Sequence, residues 1–306
     1  MSMQLNILKK GVADTLQDAG RYGFQHIGIP PCGYMDYLSA QLANIILGNP
    51  LEQVVFEIHF PASIFSFNEA VCICITGANF VPVVNEKSVE LNTPIFIEAN
   101  ETLQFLQPIQ GKICYLAVKG KIECNSWLKS QSYFLERIQT GMYFSVEKNN
   151  SSLPTIHHEW LQRIYKHIFQ PSPIRFIPGP AWNDLDPASI QILLKKTFST
   201  SLKSNRMGYA IQGEKLALLK PPTYLSSAVT KGTMQLLPSG EIMVLMADHQ
   251  TIGGYANIGQ IILLDLPKLA QLKNDTPFYW NIVSAEIAQQ SYIEVQNEFH
   301  QYDKNH

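Results

Sequence analysis

Asp248, His249, Gln250, Thr251 and Tyr255 lie within one short stretch, Asp248-His-Gln-Thr-Ile-Gly-Gly-Tyr255. A carboxylate, an imidazole, an amide, a hydroxyl and a phenol brought this close can converge on a polar ligand. Gly253 and Gly254 permit positive φ or a close approach of backbone to that ligand. Apolar runs flank the stretch, beginning at Val244 on one side and ending at Leu264 on the other, each long enough for a buried strand. Strand, polar glycine turn, strand is therefore expected, and two readings of it stand: a site held rigidly at both ends, or a β-hairpin with a polar loop.

Three other places carry comparable side chains. The segments Thr15–His26 and Gly28–Asp36 are dense in glycine, proline and polar residues and read as a shaped loop holding Asp18, Arg21 and Asp36. Read alone, these three fit a turn salt bridge and a helix cap better than a polar site. Arg206, between Asn205 and Met207-Gly208, has the fork of donors that fixes a carboxylate or phosphate, although a surface arginine fits the same spacing. Five cysteines without a CxxC pair form neither a disulfide framework nor a zinc site. Cys72 and Cys74 read as small fillers of a buried strand, and Cys32 is a candidate nucleophile only if histidine and acid meet it in space. His157-His158 has no third ligand at metal spacing, so no metal site is expected.

Several motifs are missing: GxxxxGK, GxGxxG, HExxH and GxSxG do not occur. A Met-Lys-Met-like hairpin for covalent biotin is also absent, and no cofactor held by this chain alone is expected.

The elements that must position these residues follow from composition and pattern. A chain of 306 residues with 46% hydrophobic and 16% charged residues and a net charge of −2 has a large core and no general attraction to nucleic acid or anionic membrane. No segment approaches a membrane span and the N-terminal apolar run is too short for a signal peptide, so a cytoplasmic protein is expected. Asp36 is placed to cap a helix over Tyr37–Leu47, with Leu38, Leu42, Ile45 and Ile46 at helical spacing and Gly48-Asn-Pro50 as its end. Short strands are predicted at 54–59, 63–67, 71–76, 80–84, 94–97, 102–105, 112–118 and 143–146, which is the pattern of a sandwich or barrel. Thr76–Asn79 reads as a turn.

Breaks at Lys148–Pro154 and Gln170–Pro173, with a helix over 156–169 between them, divide the chain into a β-rich domain 1–150, a helical linker region 151–173 and a second β-rich domain 174–306. In the second half Asp186 and Pro187 announce a helix, and 226–245 reads as strand, Pro-Ser-Gly turn and strand. Helices over 266–272 and 284–299 and a polar tail, 301–306, complete the chain.

Taken together, four blocks resemble the allophanate hydrolase subunit 2 family. They are Thr15–Gly23; Gly28–Asp36 with Leu42-Ala-Asn44 and Gly48-Asn49; Ser204–Gly208; and Ala247–Tyr255 with Asp265–Leu272. They span residues 12–272 in the family's order. That family includes the C subunit of bacterial ATP-dependent 5-oxoprolinase, an antagonist of a histidine-kinase inhibitor, and half of the carboxyltransferase domain of urea carboxylase. The resemblance implies a mainly β fold with a few helices in two β-barrel-like (cyclophilin-like) halves, and a companion of the allophanate hydrolase subunit 1 type, the B subunit. It also implies a separate hydrolase subunit, ATP and Mg²⁺ at the level of the complex, and a site at the junction with the companion. Site residues carried over are Asp18, Arg21, Pro31, Gly33, Asp36, Arg206, Asp248, Gln250, Thr251, Gly254 and Tyr255. Arg206, Asp248 and Gln250 are then expected in catalysis, and Lys231 in substrate binding.

The chain departs from the family at Lys119-Gly-Lys121, at Leu128–Tyr133, and at Val229–Gln235, which keeps Gly232 and Gln235 without the usual proline. Three functions follow from the resemblance: a 5-oxoprolinase subunit that activates the lactam by phosphorylation, a non-catalytic regulator that binds a kinase inhibitor, and half of a urea- or allophanate-type carboxyltransferase or hydrolase.

Overall fold

A computed structural model describes residues 3–132, 137–149, 151–220 and 224–303. Tyr133 and residues 304–306 of the predicted tail lie outside these. The chain forms two compact units: Met1–Arg21, Cys32–His167 and Gln296–His306 make the first, and Tyr22–Pro31 with Ile168–Val295 the second. The grouping thus departs from sequence order at both a loop and the C-terminus.

The first unit has two antiparallel sheets. One runs Gly120–Ile122, Tyr143–Lys148, Met3–Lys9, Ile64–Phe67, Thr102–Phe105, Pro82–Val84, Lys87–Ser88, and the other Thr15–Gln17, Val55–His59, Gln110–Val118, Val71–Asn79, Pro94–Ile97. Alternate residues of both point into one core that includes Leu5, Ile7, Phe56, Phe65, Ile73 and Leu116. The central strands of the second sheet are buried on both faces, because helix α1, Tyr37–Leu47, packs on the face away from that core. Asp36 caps α1 as the sequence predicts, its carboxylate accepting from Ser39 N at 3.0 Å, and Gly48 ends it in the left-handed conformation. Thr76–Asn79 is not a turn: the strand continues to Asn79, and Gly77, at φ 77°, sits where pairing with Gln110–Val118 slips. The inward alternation Val71, Ile73, Ile75 resumes past that point as Ala78 and Phe80. In helix α2, His158–Phe169, Trp160 packs on Phe299 with ring centroids 5.1 Å apart and donates to Glu298 at 3.0 Å.

The second unit is a seven-stranded sheet in the order Ser199–Thr200, Gly208–Gln212, Ile242–Leu245, Thr233–Leu236, Ala256–Ile261, Ile174–Pro178, Trp280–Ile282. Helices α3, Pro187–Lys195, and α4, Leu266–Gln271, accompany it, while Asp186 makes no side-chain cap to α3. Helix α5, Ala285–Asp303, reaches into the segment predicted as a polar tail. Fully buried Asp265 holds Arg175 by two hydrogen bonds of 3.0 and 2.7 Å, fixing the start of α4 to the strand Ile174–Pro178. Met234, Val244 and Ile258 fill the core.

One expectation fails in an informative way. The two strands flanking Met246–Tyr255 do not pair as a hairpin; Thr233–Leu236 lies between them and is antiparallel to both. They are therefore parallel to each other, and their connection has to run back along the sheet instead of closing a tight turn.

Candidate functional site

The crossover Met246–Tyr255 is the centre of the candidate site in the second unit. It leaves the sheet where Gly232 N donates to Leu245 O at 2.7 Å and rejoins it where Ala256 faces Leu236, so it traverses the length of the strand Thr233–Leu236. That strand is buried on both faces, with Met234 and Leu236 on one and Thr233 and Gln235 on the other. Partway along, the crossover pairs Ile252–Gly253 with Ser227–Ala228 in a two-stranded ribbon.

Arg206 and Asp248 meet at its start. Arg206 Nε donates to Asp248 Oδ2 at 2.8 Å and Nη2 to Oδ1 at 2.9 Å, with side chains only 16% and 12% exposed. The backbone reinforces the pair, since Asp248 N donates to Arg206 O at 2.8 Å and Met246 N to Met207 O at 3.0 Å. The two charges that the sequence offers separately, one for an anion and one for a cation or substrate, are thus held by each other. Their joint surface is a neutral fork rather than a point charge.

His249 is buried beside them, its Nδ1 2.5 Å from Gln250 O. Burial lowers its pKa against the Gln250 contact, and the Lys231 ammonium acts in the same direction as burial, so the imidazole is held neutral at pH 7. Thr251 is buried and its carbonyl accepts from Val229 N at 3.1 Å, whereas the Gln250 side chain is exposed. Lys231 lends its carbonyl to Gln260 Nε2 at 2.8 Å. At the far end Gly254 and Tyr255 line a cleft of about 680 Å³ together with Tyr224, Leu219, Lys220 and the turn Leu237–Gly240.

The residues predicted in the first unit form a separate constellation there. Asp18 is nearly buried and takes four donors: Gly20 N at 2.8 Å, Ser130 Oγ at 2.7 Å and Ser132 Oγ at 2.6 Å on Oδ1, and Gln131 N at 2.5 Å on Oδ2. Arg21, 2% exposed, donates through Nη1 to Cys32 Sγ at 3.1 Å and through Nη2 to Ser132 O, and stacks on Trp127 with Cζ 5.0 Å from the ring centroid. Gly33 has φ 86°, and a Cβ there would stand 2.8 Å from Ala19 O, so the turn needs glycine for both conformation and space. Asp36 is fully buried, its carboxylate accepting from the N–H and the hydroxyl of Ser39. Behind it, buried Glu57 accepts from Met35 N and from Tyr115 Oη, which itself accepts from Asp36 N. Burial and the neighbouring Glu57 and Asp36 carboxylates push the Tyr115 phenol well above its usual range.

Ser130, Ser132, Glu57 and Tyr115 were not singled out by sequence reasoning, and nothing in their local pattern sets them apart. Ser130 and Ser132 fall in Leu128–Tyr133, where the chain departs from the family it resembles, and the structure gives them the task of gripping Asp18. The cysteines remain free thiols, with Cys72 and Cys74 raised in pKa by burial in their strand. Among the described residues no three His, Cys, Asp or Glu side chains gather as a metal site, and no helix is long and apolar enough to cross a membrane.

Two β-barrel-like halves, each holding polar residues on loops against a sheet, have the architecture of a carboxyltransferase-type protein. The chain belongs to the family described as carboxyltransferase domain, subdomains A and B, which matches residues 27–281. It is 30% identical over 300 residues to the protein named as the C subunit of 5-oxoprolinase in Escherichia coli (strain K12), covering 97% of either chain. The protein of that name from Haemophilus influenzae is 30% identical over 288 residues, 93% of either chain. The crystal structure of the K. lactis urea amidolyase superposes with a TM-score of 0.87 at 22% identity, over 98% of this chain and 20% of that one, a likeness of fold.

Proposed function

We propose that this chain is the C subunit of a multi-subunit ATP-dependent 5-oxoprolinase. With an allophanate hydrolase subunit 1-type companion it binds 5-oxoproline and activates the lactam, whose oxygen takes the γ-phosphoryl group as ADP leaves. A separate subunit then hydrolyses the activated ring to glutamate. The observation that carries this reading is the 30% identity to the 5-oxoprolinase C subunit of E. coli across 97% of both chains, where the match to urea amidolyase occupies only a fifth of that much longer protein.

Phosphoryl transfer asks chiefly for positioning and charge stabilisation, and the crossover loop offers rigid, largely buried polar groups for both. Under this reading the Arg206–Asp248 fork orients the reactants, exposed Gln250 and the cleft-lining Tyr255 offer hydrogen bonds to the substrate, and Lys231 supplies the positive charge beside neutral His249. With Asp248 engaged by Arg206 and no cluster of ligating side chains among the described residues, this chain does not by itself fit a magnesium ion. No step is therefore assigned to a metal on it.

The test is reconstitution. The chain, its companion and the hydrolase subunit are mixed, and ADP release is followed with and without 5-oxoproline. Release that depends on 5-oxoproline and on all three proteins is the expected result; ADP release indifferent to 5-oxoproline sinks the assignment.

A further inference from the structure

One of the free thiols in the first unit has a cation for a neighbour. Arg21, 2% exposed, donates through Nη1 to Cys32 Sγ at 3.1 Å and through Nη2 to Ser132 O, and lies over the Trp127 ring. None of these partners is a carboxylate, and Arg21 Nε is buried with no hydrogen-bond partner among the described residues. A buried charge without a counter-charge is costly, so its surroundings are expected to supply one. Asp18 is linked to Arg21 only through Ser132, and its oxygens already accept from Gly20 N, Gln131 N and the hydroxyls of Ser130 and Ser132. Of the groups that touch Arg21, the Cys32 sulfur is the one that can take up a negative charge.

The other cysteines sit in the opposite environment. Burial raises Cys72, Cys74 and Cys114, and burial with the Asp18 carboxylate pushes Cys124 up to about 11. A guanidinium against the sulfur acts the other way, since an adjacent cation favours the thiolate, and the thiolate is the nucleophile. The Tyr34 phenol, two residues on, is held neutral by burial and by the charges of Asp18, Glu52 and Glu57. Cys32 has φ 59°, a region costly for any residue but glycine, so the turn is held against its own preference where the sulfur meets Arg21. Cys32 is 3% exposed, yet just before it lies a segment, 22–30, in which every residue is half-buried or exposed. Local opening of such a segment breaks little packing, and a small reagent needs only a narrow path.

We propose that Cys32 is a modification site: a thiolate paired with Arg21 that a peroxide-class oxidant converts to sulfenic acid. The thiolate sulfur attacks one oxygen of hydrogen peroxide, an S–O bond forms as the O–O bond breaks, and the second oxygen leaves as hydroxide. The attacked oxygen carries its hydrogen onto sulfur, which is oxidised while the peroxide is reduced. Arg21 and Cys32 bracket the segment 22–31, so the added oxygen alters the contact that ties its two ends together.

The test uses the full native chain and follows each cysteine by mass spectrometry. One series is alkylated with iodoacetamide across the neutral pH range; a second is treated with hydrogen peroxide and dimedone, which traps sulfenic acid. Cys32 is expected to label ahead of the other cysteines, at a rate that changes less than about threefold from pH 7 to pH 8, whereas an ordinary thiol gains roughly tenfold over that unit. The dimedone adduct is expected on Cys32 and to vanish in Cys32→Ser. Arg21→Gln, which keeps a donor without the charge, should give Cys32 the pH profile of an ordinary thiol and cut its adduct at pH 7 at least tenfold. Circular dichroism checks that this variant folds, and where it does not, the wild-type profile decides alone. A native Cys32 that does not label, a labelling rate that climbs as an ordinary thiol's does, or an unchanged profile in folded Arg21→Gln would each overturn the proposal and leave a neutral thiol that accepts a hydrogen bond.

Discussion

Arg206 and Asp248, distant in sequence, are joined by two parallel hydrogen bonds of 2.8 and 2.9 Å and by a backbone hydrogen bond of 2.8 Å from Asp248 N to Arg206 O. The pair pins the start of the crossover Met246–Tyr255 to the neighbouring strand's approach. Breaking either half leaves the other charge in a largely buried place. Arg206→Met and Asp248→Asn should each cost on the order of 2 kcal/mol, with the double variant costing less than their sum by roughly 1–2 kcal/mol. A double-mutant cycle by urea unfolding measures the coupling, and additive losses would show the pair to be energetically idle. In the reconstituted complex, both single variants should lower 5-oxoproline-dependent turnover by much more than twofold.

Asp18 gathers four donors from two segments far apart in sequence. Asp18→Ala strands the Gly20 and Gln131 N–H groups and two serine hydroxyls, and a loss of about 2–4 kcal/mol is expected. Asp18→Asn keeps one acceptor and should lose less. Ser130→Ala with Ser132→Ala should reproduce part of the loss; a double serine variant as stable as the wild type would mean that the backbone donors suffice.

Gly33 combines a φ of 86° with a Cβ position 2.8 Å from Ala19 O. Gly33→Ala should destabilise by at least about 2 kcal/mol, the conformational penalty for a side chain in this region being about 1–2 kcal/mol before the steric contact. Since the contact is with backbone, no rotamer change relieves it. Equal melting temperatures of variant and wild type would refute the requirement.

Asp14 gives a pH signature independent of the candidate site. Its carboxylate is 1% exposed, accepts from His59 N at 2.8 Å and Ser63 N at 2.7 Å, and is raised by burial to about 6 from an ordinary 3.8. Between pH 4 and 6 the folded protein therefore holds a proton that the unfolded chain has released, so this group's contribution to stability falls as pH rises through the window. The change is on the order of 3 kcal/mol at about 1.4 kcal/mol per pKa unit. Chemical unfolding across pH 4–7 should show this decline in the wild type and a flatter profile in Asp14→Asn.

Much of the local structure was legible in the chain because it depends on neighbours in sequence. Asp36 and Gly48 bracket α1 through capping groups close in sequence to the turns they close, and the apolar spacing of Leu38, Leu42, Ile45 and Ile46 gives the helix its buried face. The eight strands predicted in the first unit lie within a few residues of their expected limits, since alternation and turn residues mark them, whereas Met3–Lys9, Lys87–Ser88, Gly120–Ile122 and Thr15–Gln17, the last expected in a loop, were not foreseen. The family and the mainly β fold were also legible, the family from motifs such as Asp248–Tyr255 that are read in linear order and need no tertiary contact to be seen.

What the chain alone did not decide was which strand lies beside which. The sequence places Leu245 and Ala256 at the ends of a polar glycine stretch and so suggests a hairpin; only the pairing of Thr233–Leu236 between the two strands turns that stretch into a crossover laid along a sheet. Sheet order is settled by burial across the whole unit, a property no local window contains. Equally non-local contacts set Arg206 against Asp248 and Ser130 and Ser132 against Asp18. Residue types and helix caps were thus determined by the sequence itself, and the partners that give those side chains their chemistry by the tertiary structure.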